Sequence, residues 1–238
     1  MTADSERPAR VAEVLAAISG VRDPEIDEEV GTLGFELNAE VNQAGQVTVS
    51  LRLPTFWCPA NFAFLIAQDM RRAVEALPWV TGFRLRLLDH FAAEDIGRSV
   101  SEGFGFDAAF PLHASGDLAR LRRDFDEKAF LKRQGELATV LHRHGWSAAE
   151  LSALTIESAQ TISEPDVAPL LAAYLEKRIA IDLGPSGPVL ATMDGKPIAP
   201  EDVPAHMRMI RFTIQSACAN GEMCRMLAAA RAGLETTS

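Results

Sequence analysis

Three cysteines, Cys58, Cys218 and Cys224, carry most of the reactive potential of this chain of 238 residues. Cys58 stands in Leu53-Pro54-Thr55-Phe56-Trp57-Cys58-Pro59, between the end of an alternating apolar stretch and the start of a helical one. Proline suits the first position of a helix, because the N–H it lacks is one the helix leaves unbonded anyway. On that reading Cys58 is the N-cap, where free backbone N–H groups and the positive end of the helix dipole lower a thiol pKa and favour the thiolate. Such a sulfur can act as a nucleophile or bind a soft metal. The same residue also reads as a small apolar side chain tucked under Phe56 and Trp57, the commoner fate of a free thiol.

Cys218-Ala-Asn-Gly-Glu-Met-Cys224 is a second candidate, since thiolates bind iron, zinc and clusters. On an unbroken helix six residues turn the chain by about 600°, leaving the sulfurs about 120° apart around the axis and unable to share a metal. They converge only if Asn220-Gly221 breaks the helix. With that break Cys58, Cys218 and Cys224 can make a three-thiolate site; without it the C-terminal pair is structural. His90 ends an alternating stretch, where strand ends can border a site, and reads as a metal ligand or as a satisfied histidine. His142 and His144, two residues apart near a helix end, point to different faces and read as surface or capping groups. The chain has no Gly-rich phosphate loop, no Gly-x-Ser-x-Gly nucleophile turn and no His-Glu-x-x-His zinc helix, so nucleotide-driven and hydrolytic enzymes lose support.

The elements that must position Cys58 follow from periodicity. Val11, Val14, Leu15 and Ile18 have helical spacing, and Asp23-Pro24-Glu25-Ile26 then forms a shaped turn in which Asp can cap and Pro can open. Phe35, Leu37, Ala39 and Val41 alternate with polar residues, as do Val47, Val49, Leu51 and Leu53, with a hairpin connection over 42–46. Past Pro59, Phe62 to Leu77 return to helical spacing, and Phe83, Leu85 and Leu87 alternate again. The order α-β-β-α-β gives a three-stranded sheet with helices on one face, an α+β domain over 9–97. Residues 98–238 are expected to form a mainly helical region of unknown role, with helices near 116–132, 134–144, 147–160, 165–180 and 202–232. Asp194-Gly195 marks a turn between short apolar arms.

Over residues 9–97 the chain resembles the MIP18/DUF59 family, whose members help to assemble or deliver iron-sulfur clusters. The resemblance rests on Asp23-Pro24-Glu25-Ile26 after the first helix, Leu33-Gly34 before the first strand, and Thr55-Phe56-Trp57-Cys58-Pro59 at the start of the second helix, in that order. The family's usual Thr-Thr-Pro-Gly-Cys-Pro turn is altered here, with Pro54 at its first position and Phe56-Trp57 replacing Pro-Gly. The resemblance implies Cys58 as the working thiol, with Asp23 and Thr55 flanking it as orienting groups. On the residues alone, Asp23 can equally cap its turn and Thr55 satisfy the helix start.

The function so implied is non-catalytic: a maturation factor that receives, carries or hands on an iron-sulfur cluster or iron, transiently bound, through Cys58. Its partners would be cluster-assembly proteins and a client apo-metalloenzyme, for which the resemblance suggests a multicomponent oxygenase. A single thiolate cannot fill a cluster's four-thiolate shell, so a homodimer or a client must complete it. The alternative is a metal-free adaptor that docks assembly machinery to a client. A nucleophilic thiol enzyme is a third reading, weakened by the lack of a resolving Cys at Cys-x-x-Cys spacing. Composition agrees: 23 Lys+Arg against 33 Asp+Glu give a formal charge of -10, the wrong sign for holding nucleic acid. No stretch is long and apolar enough for a membrane span and Met1 to Pro8 lacks a secretory pattern, so a cytoplasmic, reducing setting without disulfides is expected.

Overall fold

The computed structural model describes residues 3–111 and 116–235. They fall into two compact units, one of Met1–Ala119 with Ala219–Ser238 and one of Arg120–Cys218.

In the first unit α1 (Ala3–Ser19) buries Val14 and Ile18 completely. β1 (Glu36–Val41) and β2 (Gln46–Arg52) pair antiparallel, with Leu37 opposite Leu51 and Val41 opposite Val47. Their turn is fixed by the Asn42 carboxamide oxygen, which accepts from the backbone N–H of Ala44 at 3.0 Å and of Gln46 at 2.9 Å. Gly45 is required there: its φ is +81°, and a Cβ would lie 2.6 Å from the Trp79 carbonyl oxygen. α2 (Ala60–Glu75) then crosses over, so that β3 (Gly82–Leu88) pairs parallel with β2, as parallel neighbours demand. The strand order is β1-β2-β3. Val47, Val49 and Leu51 of β2 and Phe83, Leu85 and Leu87 of β3 are buried in one cluster with Phe64, Ile66, Met70 and Val74 of α2. The α+β class and the α-β-β-α-β order read from the sequence are those observed.

Two further helices, α3 (Ala93–Glu102) and α4 (Phe106–Ala109), follow where the sequence pattern placed none. α3 carries Glu94 and Asp95 in its first turn, where negative charge suits the helix dipole, and ends on Gly103 with φ +78°. Gly97 lets it approach β3, since a Cβ there would stand 3.4 Å from the Leu85 carbonyl oxygen.

The rest of the chain is helical: α5 (Gly116–Arg143), α6 (Ala148–Ala153), α7 (Ile156–Ala159), α8 (Val167–Ala180) and α9 (Val203–Glu235). The two helices expected over 116–132 and 134–144 are the single helix α5. Gly135 does not break it but makes room, because a Cβ there would come within 2.2 Å of Ile210 Cγ2. The helix expected over 147–160 is instead α6 and α7. Leu154 is extended between them, and the Thr155 hydroxyl caps α7 by accepting from Ser158 N–H at 3.3 Å.

The core of the second unit is organised by buried Arg178. Its guanidinium donates to the carbonyls of Gly184 at 3.0 Å, Ser186 at 2.7 Å and Pro188 at 3.2 Å, and to Tyr174 Oη at 3.1 Å. Tyr174 Oη in turn donates to the Val189 carbonyl at 2.9 Å. The Asp194-Gly195 turn forms as expected, with Thr192 N–H bonded to the Lys196 carbonyl at 2.9 Å and Gly195 at φ +79°. His142 and His144 serve the end of α5, one against the Trp146 carbonyl at 3.0 Å and the other against Asp166 at 2.9 Å.

Candidate functional site

The turn after α1 is built around Asp23. Its Oδ1 accepts from the backbone N–H of Glu25 and of Ile26, both at 2.9 Å. Its own N–H donates to the Glu28 carbonyl and its carbonyl accepts from Asp27 N–H, each at 2.9 Å. Asp23 therefore caps its turn, as the local pattern allowed. It is also buried, and that burial raises its pKa more than the two N–H donors lower it.

Cys58 is not the N-cap of α2. The cap is Pro59, at φ -53° and ψ 134°, whose carbonyl accepts from Ala63 N–H at 3.1 Å, and no side chain caps the helix start. Proline needs no N–H partner at this boundary, so the helix opens one residue later than the sequence pattern places it. Thr55 is half-buried and takes no part in capping.

The thiol is also not activated. Cys58 is half-buried against the core of the first unit, and its pKa is pushed up to about 12, first by burial and then by the negative charges of Asp23, Cys224 and Glu25. This overturns the expected thiolate. One step outside the helix, the thiol forgoes much of the dipole's help and keeps all of the cost of burial. In the free protein it is protonated.

His90 fixes the backbone of this loop. Its Nδ1 accepts from Ala92 N–H at 3.1 Å, which leaves Nε2 carrying the proton and donating to the Cys58 carbonyl at 2.7 Å. Both ring nitrogens are thus committed, and His90 is a structural clamp on Cys58 rather than a metal ligand. Burial lowers its pKa, which keeps the ring in this neutral form. Its ring stacks on Phe91 at 4.6 Å, and Phe91 N–H donates to the Phe56 carbonyl at 3.3 Å. Phe56, Trp57 and Phe91 are more than half exposed, with Phe56 and Trp57 edge to face at 4.8 Å.

The two C-terminal cysteines part company. α9 runs unbroken through Asn220-Gly221, so Cys218 and Cys224 lie on different helix faces and cannot share a metal. Gly221 is a contact glycine instead of a breaker: a Cβ there would stand 3.2 Å from Ile26 Cγ2. Cys218 is exposed. Cys224 is half-buried and packs against the same core as Cys58. Its pKa is raised, by burial first and then by Asp23 and Glu25, while Arg225 lowers it. The three-thiolate site does not form, whereas Cys58, Cys224 and the Asp23 turn are brought together.

Arg225 and Arg231 belong to this arrangement and were not legible as site residues. Arg225 Nη1 pairs with Glu28 Oε2 at 2.9 Å. Arg231 donates to the Leu53 carbonyl at 3.0 Å and pairs with Asp89. Among the described residues no group of three or more His, Cys, Asp and Glu side chains is arranged to hold a metal ion, and no helix is long and apolar enough to cross a membrane.

Residues 11–82 match the family of iron-sulfur cluster assembly proteins. The chain is 36% identical over 75 residues to an Fe-S protein maturation auxiliary factor of Porphyromonas gingivalis (strain ATCC BAA-308 / W83), covering 32% of this chain and 70% of that protein. No solved structure matches the chain. Asp23, Thr55 and Cys58 lie inside the matched segment, and His90 and Cys224 lie beyond it. With the sheet, the Asp23 turn and the Cys58 loop all in the expected order, this chain belongs to the iron-sulfur cluster assembly protein family.

Proposed function

We propose that the protein takes up an iron-sulfur cluster or iron and delivers it to a client metalloenzyme, with Cys58 as the thiol that binds and releases the cargo. The observation that carries this reading is the setting of Cys58, on a loop clamped through its own carbonyl by His90 and facing the acidic side chains Asp23 and Glu25 and the thiol of Cys224. Every neighbour that penalises a lone thiolate favours a cation bound beside it. Cargo binding and loss of the thiol proton then occur together. Between deliveries the protonated sulfur is a poor nucleophile, which suits a carrier and not a thiol enzyme. Asp23 shapes the loop opposite the thiol, and Thr55 stands where the chain turns towards it. Partners are the cluster-assembly proteins that load the site and the client that unloads it, with a multicomponent oxygenase the client class that the family resemblance suggests.

Anaerobic reconstitution with ferrous iron and sulfide tests the reading. The wild-type protein should develop visible sulfur-to-iron absorbance and lose most of it on Cys58→Ser. Undiminished absorbance in the variant would exclude Cys58 as an essential ligand.

One observation favours a metal-free adaptor as the second reading: the exposed rings of Phe56, Trp57 and Phe91 form an apolar surface beside Cys58, suited to docking. An adaptor would hold the same partners and support the same client activity after Cys58→Ser.

A further inference from the structure

We infer that Cys224 is the second protein thiol of this site: Cys58 and Cys224 form a two-thiolate clamp for a soft divalent metal or the iron of a cluster, assembled by seating the last turns of α9 on the Asp23 turn and the end of β2. The inference rests on the reading of Cys58 as a ligand and goes beyond it by naming its partner.

The geometry comes from contacts on both sides of Cys224. Three residues before it, Gly221 meets Ile26, where a Cβ would stand 3.2 Å from Cγ2. One residue after it, Arg225 pairs with Glu28 at 2.9 Å. Four residues after it, Ala228 closes on Gly34, where a Cβ would stand 2.8 Å from the alanine's own. Arg231 then reaches the Leu53 carbonyl at 3.0 Å, five residues ahead of Cys58. Gly221 and Arg231 are about 15 Å apart along the axis, so this stretch is held at both ends. Cys224 lies between them on the same core as Cys58.

The electrostatics agree with that placement. Each thiol is opposed by Asp23 and Glu25, and charge on Cys224 opposes charge on Cys58. A cation seated between Cys58 and Cys224 would meet the same two acidic side chains, Asp23 and Glu25, from either thiol. The acidic neighbours assist by charge, since no three side chains here are arranged to coordinate. Two thiolates fill half of a tetrahedral shell and leave the other half for a client, a small thiol or a second copy, which an exchangeable cargo needs.

Cobalt(II), titrated anaerobically into the reduced full-length protein, reports bound thiolates through its sulfur-to-metal absorbance. Wild-type and Cys218→Ser proteins should give the same band, Cys58→Ser and Cys224→Ser about half of it per bound metal, and the double variant Cys58→Ser/Cys224→Ser none. A full band in Cys224→Ser with a reduced one in Cys58→Ser would overturn the clamp while leaving Cys58 as the transfer ligand. Full bands in both single variants would overturn the two readings together. Phenylarsine oxide gives a second measurement that does not depend on metal: its arsenic–oxygen group condenses with two thiols, releasing one water and forming two arsenic–sulfur bonds. One adduct per chain is expected in wild-type and Cys218→Ser proteins and none in Cys224→Ser. An adduct retained in a folded Cys224→Ser protein would also overturn the clamp.

Discussion

At the scale of single residues, His90 shows how a side chain outside the matched segment can govern the one inside it. Its two nitrogens join the start of α3 to the Cys58 carbonyl, so His90→Leu removes two hydrogen bonds and strands a buried N–H and a carbonyl. The expected loss of stability is about 1–3 kcal/mol, read from denaturant unfolding. Because burial depresses the His90 pKa, the unfolded chain binds more protons here than the folded one. The contribution is therefore complete above the ordinary histidine value of about 6.5 and is lost as pH falls through the lower folded value. The stability gap between wild type and His90→Leu should narrow from about pH 7.5 to about pH 5. A constant gap would show that the ring does not titrate with folding.

At the scale of elements, the last turns of α9 depend on glycines that admit close contact. Gly221→Val would drive new atoms into Ile26, from a Cβ position already at 3.2 Å, and lift the helix from the Asp23 turn. Overpacking of this kind costs about 1–3 kcal/mol. Amide exchange over residues 219–235 should accelerate in the variant while the sheet stays protected; unchanged exchange would mean that the seat is not made through Gly221. The same glycines explain what could be read in the sequence. β1, β2, α2 and β3 were legible because each buries one face and so carries its period in its apolar residues. Gly221 was open to reading as a break because glycine disfavours helix locally, yet it sits, as Gly135 does, where a distant side chain leaves little room for a Cβ. α3 was missed although its buried residues share one face, because only Ile96 and Val100 of its ten residues are large and apolar and the rest of that face is Gly97 and Ser99. At the site, Cys58 and Asp23 were marked by local motifs. The position of Cys58 outside the helix, the resulting pKa and the approach of Cys224 are products of packing between segments far apart in sequence.

At the scale of the whole molecule, the cargo's ligand shell exceeds what one Cys58 supplies. If delivery follows the proposed route and no client is present, a reconstituted cluster should recruit a second copy of the chain. Sedimentation should then show two chains per cluster, reverting to the cluster-free state when iron is chelated. A loaded single chain without added small thiol would contradict this.

The order of synthesis gives the split first unit a further meaning. Its sheet, its Asp23 turn and Cys58 emerge early, whereas Cys224 and the arginines that seat it emerge only after the entire second unit. At ordinary elongation rates that interval is about 10–30 s. During it the Cys58 loop stands without the helix that brings Cys224 to the same core. Any loading machinery that recognises the completed clamp would thus act only once α9 has been made, which makes the late arrival of α9 a natural checkpoint on when cargo can be accepted.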